Sequence, residues 1–474
     1  MSAVAIEPDW LVPVDSPEIP RGALVIDSGK IEFVGPALPQ RYASLPRFRL
    51  PGIAILPGLV NAHCHLEFSD LSRPIRATGS FTQWLSEVIA VRQSQRDASE
   101  GERLESRRKA IHAGIRESWL AGVRFVVDMV TAPWSQRWVD EANLACLETL
   151  SPFARKTFVP NVALTVLPCV ELIDVNRNRS DQTELLAAQL LKESVGPAIE
   201  KPGLAPHAPY TASMALLQRS AMRAHTEERL MCMHLAETQE ELDWLRDRTG
   251  PFASMLEPII DEVFRSRIGT INSHIQALSH AWRALVVHGN YLSKQELISL
   301  SRHRNHMGVV YCPRTHSHFQ HQDHPAANWN DAIPIMLGTD SRASNPDLSI
   351  WEEICWASNL MLSLSPKQIA LMATTGPARF LQVESQAGAL RAGCFARLSA
   401  IDLSTSRLYP SPVIQSSAIG TNPITAAPNT SATNTTAMLS DSAIKSIPTT
   451  ELWESMLDDG AIKPLESLSC FQLP

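Results

Sequence analysis

Short apolar runs ending in polar residues recur along this chain and alternate with longer amphipathic stretches, a pattern that fits a parallel sheet wrapped by helices. The first is Ile53–Val60; then come GVRFVVDMVT, KTFVPNVALTVL, GLAPHAPYT, RLMCMHLAET, ALVVHGNYL, MGVVYCPRTH and IPIMLGTDS. Amphipathic segments such as Glu100 to Ala121 and Gln239 to Arg248 lie between them. Eight runs match the strand count of an α/β protein of the (β/α)8 TIM-like barrel class, in which chemistry sits where the strands end.

The flanks read differently. GALVIDSGKIEFV places two β-branched runs around Asp27, Ser28 and Gly29, a hairpin signature. Beyond the eighth run, PKQIALMATTGPARFLQ reads as a helix and GALRAGCFARLSAIDL as two short strands. The expected organisation is a small composite β domain from residues 1–56 and 384–403 around a barrel over 57–383. Residues 404–450, rich in Ser, Thr, Pro, Ala and Asn, bury too little apolar surface to offset ordering and are expected to be disordered. The tail 451–474 is expected to dock back as a short helix or two.

Composition narrows the partners. A net charge of -7 lacks the basic footprint of a nucleic-acid binder, so a small-molecule substrate is expected. The eight cysteines form no CxxC pair and read as free thiols of a reducing compartment. Glu7 and Asp9 stand where a signal peptide carries basic residues, and no run is apolar enough to span a bilayer. A cytoplasmic enzyme without membrane contact is the expectation, and no GxSxG elbow points to a serine hydrolase.

The sharpest chemical signal is His63-Cys64-His65 at the end of the first barrel run. Side chains alternate along a strand, so the two histidines share a face and can reach one metal while Cys64 points away. His234, His288 and Asp340 close three further runs and belong at the same barrel mouth. Nitrogen and oxygen donors of this kind suit a divalent ion such as zinc, which would activate a water as nucleophile. Glu237, three residues beyond His234, can enter the same site as a proton shuttle, or be a helix-start carboxylate. Asp340 can equally cap the segment that follows it.

PGLVNAHCHLEFSD, HLAET, VVHGN and LGTDSRASNPDLS together resemble the amidohydrolase superfamily, in its cytosine/adenosine-deaminase-like and chlorohydrolase branch. The likeness runs from about Gly22 to Leu403. It implies His63, His65, His234 and Asp340 as ligands of one divalent metal per chain, with zinc favoured and iron or manganese as other occupants. Glu237 would shuttle protons, Asp340 would share in activating the water, and His288 would orient it. Binuclear relatives carry a carboxylated lysine at the fourth strand; APHAPYT stands there in this chain, which implies a mononuclear site. Homodimers are common among such barrels. His65-Leu66-Glu67 mimics half of the HxE plus PCxxC signature of another deaminase fold, whose second half is absent. Arg397 departs from the family, which usually has Asp in an ADL motif there.

Glu67, Trp84 and Arg314 match members resembling aminodeoxyfutalosine deaminases, which act on a purine nucleoside of the alternative menaquinone pathway. The likeness makes these and His207 substrate-binding residues, with hydrolytic deamination of an aminated purine nucleoside or related heterocycle as the reaction. Each has a plainer structural alternative: core packing for Trp84, an ion pair for Glu67 and for Arg314, a rim hydrogen bond for His207. The six histidines from His303 to His324 read as a polar rim after the seventh strand rather than a second metal site. Hydrolysis of another C–N bond or of a C–Cl bond is the alternative reaction, and a decayed metal-binding scaffold the alternative without one.

Overall fold

The computed structural model describes residues 3–77, 79–93, 98–158, 163–193, 201–329, 331–404, 439–465 and 468. The amino-terminal strands are β1 (Val4–Leu11), β2 (Ile19–Pro20), β3 (Ala23–Asp27), β4 (Lys30–Gly35) and β5 (Arg47–Pro57). β3 and β4 form the expected hairpin, with Asp27 opposite Lys30. Ser28 and Gly29 turn it at φ 51° and 75°, the left-handed values that suit a two-residue hairpin loop.

The larger sheet holds β6 (Leu59–Cys64), β7 (Val123–Val130), β8 (Thr165–Leu172), β9 (Gly203–Pro206), β10 (Leu230–Leu235), β11 (Arg283–His288), β12 (Met307–Tyr311) and β13 (Ile335–Leu337). These strands follow one another in chain order, each parallel to its neighbours. A parallel bridge between Cys64 and Asp340 joins the last to the first, and a (β/α)8 barrel results. β7 is buried at every residue, as a strand covered on both faces must be. Reciprocal caps such as Ser99 with Glu102 and Ser293 with Glu296 start the surrounding helices.

The run Ile53–Val60 proves to be parts of two strands rather than one. The chain leaves the small sheet at Pro57 and enters the barrel at Leu59. Gly58 makes the crossing where a Cβ would collide with the Arg124 side chain and the Arg397 carbonyl. Arg124 is fully buried there, its guanidinium donating to the Val123, Trp119 and Leu398 carbonyls.

β14 (Leu398–Asp402) and β15 (Ala461–Pro464) complete the small sheet, whose order is β15-β14-β5-β1-β3-β4 with β2 beside β1. Of the two short strands expected within Gly388–Leu403, only β14 forms; the other is reduced to a Lys30–Phe395 bridge. Arg397, the family departure, leaves β14 intact and donates to Thr165 Oγ1 at 2.6 Å. The expectation of disorder falls mostly on residues 405–438, outside the described residues. Its last part is ordered as helices: Asp441–Ser446, and Thr449–Asp459, which anchors through Trp453 Nε1 to Glu18 at 2.9 Å. The tail supplies that helix and, unexpectedly, a strand. Among the described residues no helix is long and apolar enough to cross a membrane.

Candidate active site

His63, His65, His234, His288 and Asp340 meet at the carboxyl-terminal mouth of the barrel, all of them buried. Strand alternation delivers His63 and His65 to one side of β6, with ring centroids 4.9 Å apart. His63 lies 5.0 Å from the His234 ring and 5.6 Å from the His288 ring. Asp340 Oδ1 is 3.4 Å from His63 Nε2 and 3.7 Å from His65 Nε2. Donor atoms of His63, His65 and His234 fall within 4.8 Å of one another, as do those of His63, His288 and Asp340.

The residues fit a metal on their own chemistry. Both ring nitrogens of His63 and Nδ1 of His65 are buried without a hydrogen bond among the described residues. Such orphaned groups cost about 1–3 kcal/mol each, and a cation amid lone pairs removes that cost for those turned toward it. His234 donates Nδ1–H to the His207 carbonyl at 2.9 Å, which fixes Nε2 as the free ligand atom. Burial drives the pKa of His65 and His288 well down, and that of His234 to about 3, so these imidazoles are neutral. Burial opposes ionisation of Asp340, yet the surrounding imidazoles of His63, His288 and His65 hold it far below the carboxylate range. Ser344 Oγ donates to its Oδ2 at 2.7 Å.

Glu237 stands beside this cluster, Oε1 at 3.4 Å from His288 Nε2. Burial first, then Asp340 and Glu241, push its carboxyl well above the usual range, as suits a proton donor. Main-chain contacts hold the HLAET loop. Glu241 accepts from Ala236 N at 3.1 Å and Glu237 N at 2.8 Å, and Asn290 Nδ2 donates to the Glu237 carbonyl at 3.0 Å. Glu241 and Asn290 were not anticipated; the T-x-x-E pattern Thr238–Glu241 carried a signal for the first. The late histidines brace this machinery: His324 Nε2 donates to the His288 carbonyl at 2.8 Å, and His316 Nδ1 pairs with Asn290 Oδ1 at 3.1 Å. Among the described residues they form no metal-binding group of their own.

A cavity opens above the cluster. Trp84 and His207 line it, with Phe68, Phe81, Arg92, Glu171 and Tyr210. Trp84 packs against Phe81 and Phe319 and donates Nε1–H to the Ala343 carbonyl at 3.3 Å, so it is both wall and core. Its helix, Phe81–Gln93, is held from across the mouth: Glu240 accepts from Phe81 N at 2.8 Å and Thr82 N at 3.1 Å. Glu67 and Arg314 do not line the cavity. Glu67 is engaged by Arg92, Arg107 and Thr131. Arg314 forms a buried pair with Glu353 at 2.7 Å and a second with Asp347 at 2.7 Å. For both residues the ion-pair alternative describes the geometry. Arg314→Ala is expected to lower unfolding stability by about 3 kcal/mol, because it strands Glu353 in the core, while KM stays unchanged. Thermal melts and steady-state kinetics check this, and a raised KM with unchanged melting would return Arg314 to the substrate.

A barrel with four buried histidines, an aspartate and a glutamate at its mouth is the framework of a metal-dependent hydrolase. The model of the Amidohydrolase family matches residues 54–439, and the chain belongs to that family. It is 27% identical over 408 residues to a 5-methylthioadenosine/S-adenosylhomocysteine deaminase of Pyrococcus furiosus, covering 83% of this chain and 84% of the relative. It is 26% identical over 347 residues to an aminodeoxyfutalosine deaminase of Deinococcus radiodurans, covering 69% and 73%. A zinc-bound adenosine deaminase structure from Xanthomonas campestris superposes with a TM-score of 0.66 at 22% identity, over 87% of each chain.

Proposed function

We propose that the chain is a cytoplasmic, mononuclear hydrolytic deaminase of an aminated purine nucleoside. The observation that carries this reading is the pair of orphaned His63 nitrogens set against Asp340, with Glu237 protonatable beside them. His63, His65, His234 and Asp340 would hold one divalent ion, zinc by preference. When bound, such an ion supplies Lewis acidity that brings the ionisation of a water near neutral pH. Asp340 Oδ1 is placed to take the proton that water loses. Glu237 Oε1 would deliver a proton to the ring nitrogen as the oxygen adds to the amidine carbon; on collapse the proton held by Asp340 would pass to the amine, which leaves as ammonia, and the added hydroxyl's proton would return to Glu237. His288 Nε2 orients the water, while Trp84 offers its face to the purine and His207 contacts the bound nucleoside. The deaminases among its relatives support this substrate class.

The test is ammonia release by the purified, metal-assayed protein from aminodeoxyfutalosine, adenosine, S-adenosylhomocysteine, guanine and cytosine, with and without a chelator. Chelator-sensitive release from an adenine nucleoside is expected. Silence with about one metal per chain would move the reading to amide or halide substrates. Silence without metal would leave a decayed scaffold.

A further inference from the structure

The cavity contains a buried carboxylate to which the roles above give no task. Glu171, near the end of β8, is 2% exposed. Its Oε1 lies 3.9 Å from His65 Nδ1 and 3.9 Å from His207 Nε2, and its Oε2 has no hydrogen-bond partner among the described residues. A buried carboxylate oxygen without a donor is costly, so the donor arrives with whatever fills the cavity.

His207 adds a second acceptor. Thr211 Oγ1 donates to the Ala208 carbonyl at 3.3 Å and so accepts from His207 Nδ1 at 2.7 Å. With its proton on Nδ1, the neutral ring presents Nε2 as a lone pair. Two acceptors thus face the cavity side by side. A cation is the obvious alternative occupant, since Glu171, His207 and His234 also bring donor atoms within 4.8 Å of one another. On the reading above His234 is already spent, with Nδ1 committed to the His207 carbonyl and its remaining nitrogen to the ion at His63 and His65.

The occupant must therefore bring two adjacent hydrogen-bond donors, and a cis-diol does so on one rigid ring. We propose that Glu171, with His207 beside it, receives the vicinal hydroxyls of a nucleoside's sugar and so selects ribosides over their deoxy analogues. This rests on the nucleoside-deaminase reading, and the experiment separates the two. Wild type and Glu171→Gln are assayed on adenosine, 5′-methylthioadenosine and 2′,3′-dideoxyadenosine, with metal content measured for both.

Wild type is expected to prefer a riboside over the dideoxy compound by about 10²-fold or more in kcat/KM. In the variant that preference falls at least about tenfold, because riboside turnover drops while dideoxy turnover and metal content hold. Equal use of both sugars by wild type, a preference unchanged in the variant, or loss of metal from it would each overturn the assignment. Failure of wild type on all three compounds would instead overturn the deaminase reading beneath it.

Discussion

Glu237→Gln will lower kcat by about 10³-fold while leaving metal content and KM close to wild type, as expected when a positioned proton donor is removed. The substitution is nearly isosteric, and the contacts that fix this loop are made by the main chain. Glu237 N is held by Glu241 and its carbonyl by Asn290. Only the carboxyl that faces His288 changes. Burial keeps that carboxyl protonated above the ordinary carboxylate range, so a donor is present where a surface glutamate has already ionised. An amide cannot exchange a proton with a ring nitrogen. Turnover within tenfold of wild type, read by single-turnover ammonia release, would remove Glu237 from the proton route.

Asp340→Asn is the second large effect: metal content is expected to fall at least about tenfold, and kcat/KM by about 10³-fold or more. Asp340 sits at φ 57°, and asparagine is among the few residues that tolerate the left-handed region. The backbone bridge to Cys64 and the hydrogen bond that the Asp340 N–H donates to the His63 carbonyl at 3.1 Å should therefore persist. What disappears is the negative charge among the imidazoles of His63, His65, His234 and His288. Elemental analysis and circular dichroism together decide the outcome. A folded variant that kept its full metal complement and turnover would exclude Asp340 as a ligand and as a proton acceptor.

The barrel and the residues at its mouth were legible because their signals are local. Period-two spacing alone puts His63 and His65 on one face, and His234, His288 and Asp340 each announce themselves as a polar residue ending an apolar run. Glu171 has the same address, near the end of TVLPCVEL, but the apolar run KTFVPNVALTVL stops short of it. That run begins inside the helix Pro152–Phe158, while the strand spans Thr165–Leu172. Glu67 and Arg314 exceeded sequence reasoning for a different reason. Their partners, Arg92 and Arg107 for the one and Asp347 and Glu353 for the other, come from segments whose approach only the folded barrel determines. β15 was missed because AIKP shows no alternation of its own; it becomes a strand by pairing with β14.

The order of the small sheet bears on how the chain matures. β5 pairs with β1 on one side and with β14 on the other. Every barrel strand lies between β5 and β14 in the sequence, so a chain growing from its amino terminus carries β5 with one bare edge through the whole synthesis of the barrel. Arg47 and Arg49 stand at the start of that strand, where charge discourages pairing with another chain. The contacts that finish the sheet are among the longest-range in the molecule, and their closure entropy is offset only once the barrel has brought the two ends together. The small sheet can therefore be completed only after the last barrel strand has been made.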